Sequence, residues 1–261
     1  MSLNRPHASL HGLKGLVVGI ANVHSIAWGC AEAFKTAGAE LAITYLNEKA
    51  KPHVRPLADE VDATLTLPMD VEKDSEVEAV FEAIDKQWGK LDFLLHSIAF
   101  APLQDLHGQV IDSSREGFNR AMDISCHSLI RLSRLAAPLM QKDGGAIMTM
   151  SYEGANRVAP HYGIMGMAKA ALEAATRALS VELGPSNISV NAISPGPIAT
   201  RAASGILEFD HLMEDSVKNA PLHRMVTIEE VGALATLLAS PAGRGITGDV
   251  IVIDAGRHIV Y

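Results

Sequence analysis

A tyrosine and a lysine seven residues apart, Tyr162 and Lys169, lie in the stretch SYEGANRVAPHYGIMGMAKAALEAATRAL, with Tyr152 ten residues before Tyr162. The run of small and apolar residues predicts a helix over 162–183. Seven steps of about 100° bring a helical residue back to within about 20° of its first direction, so the two side chains share a face. An ammonium beside a phenol favours the tyrosinate, lowers the phenol's pKa and makes a proton donor usable near neutral pH. The same residues are equally compatible with a surface lysine and a half-buried tyrosine that never meet.

A second constellation follows the first apolar run. GIANVHSIAWG is not G-x-G-x-x-G, yet it carries the parts of a phosphate turn. Gly19 permits a tight turn and a close backbone approach to a ligand. Ser25 stands where it would N-cap a helix running to Gly38, a C-cap, and Gly29 one turn inside would let that helix pack close to the sheet. A helix N-terminus after the first strand of a parallel sheet attracts anions through its free N–H groups and its dipole. An ordinary strand-to-helix turn that binds nothing fits the same residues. Past the second apolar run, in TYLNEK, Leu46 and Asn47 are neutral and no basic residue comes before Lys49, which argues against recognition of a 2′-phosphate. Asp70, in PMDVEKD, is placed either to accept from an adenine amino group or to start a helix.

Other chemistry is poorly supported. His7 and His11 are four apart in a polar leader, with no H-E-x-x-H and no carboxylate at ligand spacing, so no metal is expected. Ser151 is not in a G-x-S-x-G elbow. Residues 195–212, rich in Pro, Gly and small side chains, follow the sixth strand and read as a substrate lid.

The elements that must carry these groups alternate in type. Apolar runs at 15–20, 40–46, 63–69, 91–97, 145–151, 188–194 and 249–255 read as strands buried on both faces. Helix-period segments separate them at 25–38, 74–89, 114–140, 162–183 and 227–240. The alternation predicts an α/β fold: one doubly wound domain with a seven-stranded parallel sheet flanked by helices on both faces. A (β/α)₈ barrel would need an eighth strand, which the sequence lacks. The 261 residues, 48% apolar and 20% charged, describe a globular chain with a sizeable core. A net charge of −8 and no basic stripe exclude nucleic acid as the main partner. No apolar run is long enough for a membrane span, and no apolar leader marks secretion, so a cytoplasmic location is expected. Cys30 and Cys126 read as buried, reduced thiols.

With these residues in view, the sequence resembles the short-chain dehydrogenase/reductases, and more closely the bacterial NADH-dependent enoyl-acyl-carrier-protein reductases. The resemblance rests on GIANVHSIAWG, AITY, MDV, LDFLLHSIAFAP, SYEGA, Tyr162-x6-Lys169, VNAISPGPIATRAASGI, VTIEEVG and ITGDVIVIDAG, in order over nearly the whole chain. Ordinary members of the superfamily carry Tyr-x3-Lys, whereas position 166 here is Gly. The x6 spacing with Tyr152 upstream marks the enoyl reductases.

The resemblance implies a single Rossmann-type domain over 1–261 that uses NADH to reduce the double bond of trans-2-enoyl thioesters in fatty acid elongation. A ketone or alcohol oxidoreductase and a non-catalytic cofactor-binding paralogue are the alternatives. Tyr162 would stabilise the enolate, Tyr152 would support it, and Lys169 would bind the nicotinamide ribose. Gly19, Ser25 and Ile26 would hold the pyrophosphate, Leu46 would border the adenosine ribose, and Asp70 and Val71 would contact adenine. Ser97 and Ile98 would lie along the cofactor, Ile198, Ala199, Thr200, Arg201 and Ala202 at its nicotinamide end, and Ala101 against the acyl chain. The resemblance further implies a homotetramer, for which an alanine-rich helix over 162–183 offers a surface, and acyl carrier protein as partner. Arg201, Lys218 and Arg224 are the basic candidates for docking that acidic partner. Leu46, Ala99, Glu153, PHYG around Tyr162 and Ala255 in IDAG depart from the family pattern.

Overall fold

The computed structural model of the chain describes residues 8–200 and 209–260. Seven strands form one sheet: β1 (Lys14–Val18), β2 (Glu40–Tyr45), β3 (Leu65–Pro68), β4 (Phe93–His96), β5 (Gly145–Met150), β6 (Ile188–Pro195) and β7 (Val250–Ile253). Their spatial order is β3-β2-β1-β4-β5-β6-β7, and every pairing is parallel. The helices are α1 (Ile26–Thr36), α2 (Lys51–Glu60), α3 (Asp74–Trp88), α4 (Leu103–His107), α5 (Arg115–Met122), α6 (Ser128–Met140), α7 (Met165–Leu183), α8 (Phe209–Asn219) and α9 (Ile228–Ala239).

Alternate residues of each strand enter opposite layers. Val17, Ile43, Leu95 and Met148 pack with Phe34 of α1, Leu57 of α2 and Val231 of α9. Leu16, Ala42, Leu94 and Ile147 pack with Phe81 of α3, Leu132 of α6 and Leu172 of α7. Both faces of the central strands are therefore covered, which is why they appear in the sequence as mainly apolar runs, with the few polar residues in them, such as His96, Thr149 and Asn191, buried. The edge strands β3 and β7 are only half-buried.

Three helices go beyond the sequence reading. The first is α2, whose Pro52 occupies the first turn, where a missing N–H costs nothing, and whose Pro56 lies inside the helix. The other two are α4, only five residues long, and α8, whose first residues fall in the span read as a lid. The single helix expected over 114–140 is instead α5 and α6 joined by one π turn, Asp123–His127. Gly29 serves a different contact from the one expected. A Cβ there would lie 2.5 Å from the carbonyl oxygen of Ile228, and one at Gly232 would strike the Gly29 carbonyl. The pair lets α1 cross α9 closely, not the sheet.

A capping box starts α9. Thr227 Oγ1 accepts from the Glu230 N–H at 3.3 Å, and Glu230 Oε2 accepts from the Thr227 N–H at 3.0 Å. Thr227→Val keeps the shape and removes the acceptor, and should cost about 1 kcal/mol in urea unfolding. An unchanged midpoint would mean that the box contributes nothing to stability.

Candidate active site

The strand order reverses between β1 and β4, so the loops after their C-terminal ends diverge and leave a crevice there. Chemistry gathers beside it, where β5 ends at Met150. Ser151 and Tyr152 follow, then a 3₁₀ turn, Glu153–Ala155, and a loop that returns to α7 through Tyr162.

Tyr162 is not on the helix, contrary to the expected 162–183 span. His161 and Gly163 flank it at φ +57° and +45°, and α7 begins at Met165. A Cβ on Gly163 would lie 2.7 Å from the Leu106 carbonyl oxygen, so α4 presses the chain into this turn. Turn geometry, not helical phase, thus relates Tyr162 to Lys169.

The rings of Tyr152 and Tyr162 meet edge to face, 5.0 Å between centroids and 62° between planes. Two glycines make room for them. A Cβ on Gly154 would fall 2.6 Å from the Tyr162 ring, and one on Gly166 would fall 2.8 Å from the Gly154 carbonyl oxygen. A lysine at position 166, as Tyr-x3-Lys requires, has no space here. The Tyr152 hydroxyl donates to Glu153 Oε1 at 3.3 Å.

Lys169 is 4% exposed, and its Nζ donates to the Met150 carbonyl at 2.7 Å. Burial pulls its pKa from 10.5 to about 8, against the upward pull of Cys126 and Glu173. The sequence led us to expect a lowered phenol at Tyr162. Burial instead pushes it up, as it does at Tyr152, where Glu153 and Tyr162 add to the effect. Desolvation of the phenolate outweighs any help from a cation, so Tyr162 remains a neutral hydrogen-bond donor.

Several residues that sequence reasoning passed over complete the site. Leu106, Met165 and Ala168 form an apolar wall against which Ala101, Met122 and Tyr162 pack, so the structure brings Ala101 and Tyr162 together. Ser125, in the π turn, accepts from the Phe100 N–H at 3.0 Å and donates to its carbonyl at 3.1 Å. Buried His96 bridges Thr149 and Ser128, each at 2.8 Å, and burial with Lys169 nearby lowers its pKa to about 3. Polar residues inside apolar runs, such as His96 in LDFLLHS, were the available signal.

The residues expected to hold a dinucleotide lie along the crevice. Gly19 has φ +111°, and a Cβ there would strike the Ser97 carbonyl. Ser25 stands at the N-cap position but does not cap α1. Its Oγ accepts from the N–H groups of Ala21 and Asn22, at 3.0 and 3.1 Å, which tightens the turn. The first-turn N–H groups of α1, at Ile26 and Ala27, have no helical acceptor and suit an anion. Ser97 donates its N–H to the Val18 carbonyl, and Ile98 and Val71 pack on one core layer. Asp70 Oδ1 accepts from the Glu72 N–H at 3.1 Å, closing the turn before α3. Leu46 is 53% exposed at the end of β2, and nearby Lys51 is paired with Glu48. Ile198 and Ala199 face Val23 and His24 across an open cleft of about 440 Å³, and Thr200 donates its N–H to the Ile198 carbonyl. Arg201 and Ala202 lie outside the described residues, as do residues 203–208 of the expected lid, whose last residues, 209–212, belong to α8. The Gly19 cradle and the first turn of α1 fit a dinucleotide phosphate.

Comparison with known proteins agrees with this geometry. A family model described as enoyl-(acyl carrier protein) reductase matches residues 19–258. Enoyl-(acyl-carrier-protein) reductase (NADH) 1 of Rhizobium meliloti is 47% identical over 96% of this chain and 92% of its own length. A Synechocystis protein of the same NADH-dependent type is 48% identical over 96% of this chain and 98% of its own. Among solved structures, the Anaplasma phagocytophilum reductase in complex with NAD superposes with a TM-score of 0.93 at 43% identity, covering 99% of this chain and 98% of that one. The Bacillus cereus reductase with NADP+ and indole naphthyridinone gives 0.94 at 44%, covering 97% and 98%. The chain belongs to the enoyl-(acyl carrier protein) reductase family.

Proposed function

We propose that this chain reduces the carbon–carbon double bond of trans-2-enoyl thioesters with NADH, and that Tyr162, Tyr152 and Lys169 carry the reaction. The observation that bears most weight is the edge-to-face pair of phenols following Met150, whose carbonyl holds the buried Lys169, in a chain of this family. NADH, when bound, supplies a hydride to C3 of the enoyl chain. Negative charge then develops on the thioester oxygen, three bonds away and so two bonds farther than in ketone reduction, and Tyr162 donates a hydrogen bond to that oxygen. Its raised pKa suits a group that must stay protonated while it stabilises an enolate. Tyr152 fixes the Tyr162 ring by contact, and the Lys169 ammonium holds the nicotinamide ribose hydroxyls. The apolar wall with Ala101 takes the acyl chain and excludes water. At the adenosine end, Leu46 and Asn47 offer no guanidinium to a 2′-phosphate, which favours NADH over NADPH. The absence of space at Gly166 disfavours the ketone and alcohol chemistry of Tyr-x3-Lys enzymes.

Acyl carrier protein is the partner we assign, with the substrate entering past residues 195–212. Of the three basic docking candidates, Arg201 lies outside the described residues. Arg224, exposed, is paired with Glu230 by two bonds of 2.7 and 2.8 Å, so its charge is partly engaged within the chain. Lys218, on α8, is also exposed. A homotetramer in the cytoplasm fits two features. Met167, Ala170, Ala174, Ala178 and Val181 form an exposed stripe along α7, whereas Ala168 is buried and Ala171 and Ala175 pack inward. Among the described residues no helix is long and apolar enough to cross a membrane.

The direct test is NADH oxidation with a crotonyl thioester, which should far exceed that with a β-ketoacyl thioester; the reverse order would reject the assignment. Tyr162→Phe should lower kcat at least roughly 100-fold and leave NADH affinity within about twofold, because the phenol acts only on charge formed in the transition state. Unchanged turnover would remove Tyr162 from the mechanism. Gly154→Ala displaces the Tyr162 ring and should cost about 10- to 100-fold in kcat with little change in cofactor binding; parent-like kinetics would show that ring placement is not critical. Lys218→Glu should raise KM several-fold for a carrier-linked substrate and not for its coenzyme A analogue. An equal rise for both would place Lys218 outside partner docking.

A further inference from the structure

The proposed mechanism leaves one buried carboxylate unused. Glu173, 5% exposed, lies one helical turn beyond Lys169 on the inner face of α7. Its Oε1 accepts from Ser151 Oγ at 2.6 Å, and its Oε2 accepts from Asn156 Nδ2 at 3.3 Å. Ser151 stands between Met150, whose carbonyl holds Lys169, and Tyr152. Asn156 ends the turn that carries Glu153 and Gly154. One carboxylate thus ties α7 to both ends of the segment that presents Tyr152.

We propose that Glu173 is a positioning residue for the reaction: anchored by Ser151 and Asn156, its carboxylate is the counter-charge that keeps Lys169 an ammonium inside the protein. This rests on the assignment of Lys169 as the cofactor-holding cation. Three titratable groups bear on Lys169. Burial holds His96, on β4, neutral. The same effect raises the Cys126 thiol of the π turn. Glu173, on α7 itself, supplies a carboxylate whose two oxygens accept from Ser151 and Asn156. Burial alone drives the lysine towards its neutral form, and Glu173 opposes that drive. A hydrogen-bond clamp with no charge role would need only an amide at this position.

Glu173→Gln separates the two roles, since the amide oxygen still accepts from Ser151 and Asn156 can turn its own amide. Removing the negative charge lowers the lysine's pKa further. The alkaline limb of kcat/KM for NADH should therefore move to lower pH by about one unit or more, with near-parent cofactor affinity at pH 6. A superimposable pH profile in a folded E173Q enzyme would overturn the proposal. Should E173Q fold poorly, thermal unfolding of Lys169→Met with and without E173Q decides. A counter-charge leaves a stranded carboxylate in K169M, so adding E173Q should recover part of the lost Tm; additive losses would overturn the pairing. If Lys169→Ala instead leaves NADH affinity unchanged, the cofactor role of Lys169 fails, and the unfolding cycle still tests the pair on its own.

Discussion

An ammonium taken out of water needs acceptors and a fixed place, and at Lys169 the main acceptor is the backbone carbonyl of Met150 at 2.7 Å. That bond joins the end of the central strand β5 to the first turns of α7. It forms only if the helix approaches the strand's continuation closely, and the contact of Gly166 with the Gly154 carbonyl sets that approach. The same closeness leaves a slot in which the rings of Tyr152 and Tyr162 cross. Placing a charge inside the protein thus fixes strand, turn and helix together, and the two phenols occupy the position left to them.

The sheet supplies the rest of the geometry. Seven parallel strands end on one side, and the reversal of order between β1 and β4 opens the crevice where Gly19 meets the Ser97 carbonyl. Beyond it, the His96 bridge to Thr149 and Ser128 ties β4 to β5 and to α6, just behind the Lys169 anchor. The positions we propose for adenosine, pyrophosphate and nicotinamide lie along strand ends that a common hydrogen-bonded frame keeps in register. The apolar wall around Leu106, Met165 and Ala168 closes the opposite side.

Much of this was legible in the residues. The strands stood out because both faces of the sheet are covered, so apolar residues follow one another with few polar ones between them. Lys169, Tyr162 and Tyr152 were legible through spacing and resemblance, but the helical argument for their shared face failed. The turn at His161 and Gly163, both at positive φ, depends on the packing of α4 against it, which residue types alone do not reveal. α2, absent from the sequence reading, carries two prolines, of which Pro52 is tolerated in the first turn and Pro56 lies inside the helix. Ser25 and Gly29 illustrate a second limit. Their residue types were right for a turn and a close contact, yet their partners, the Ala21 and Asn22 amides and α9, lie in three dimensions and not in sequence. Glu173 was passed over for the same reason, although a carboxylate four residues after a buried lysine shares its helical face.

The central claim is that Tyr162 acts on charge at the thioester oxygen while the hydride arrives at C3. The most direct measurement is the position of label in the product of a trans-2-enoyl thioester reduced with NADH deuterated at the transferred C4 position, in ordinary water. The account predicts a saturated acyl chain with one deuterium at C3 and a solvent-derived proton at C2. An untouched enoyl chain, with deuterium appearing instead on the carbinol carbon of a β-hydroxyacyl product formed from a β-ketoacyl thioester, would contradict it.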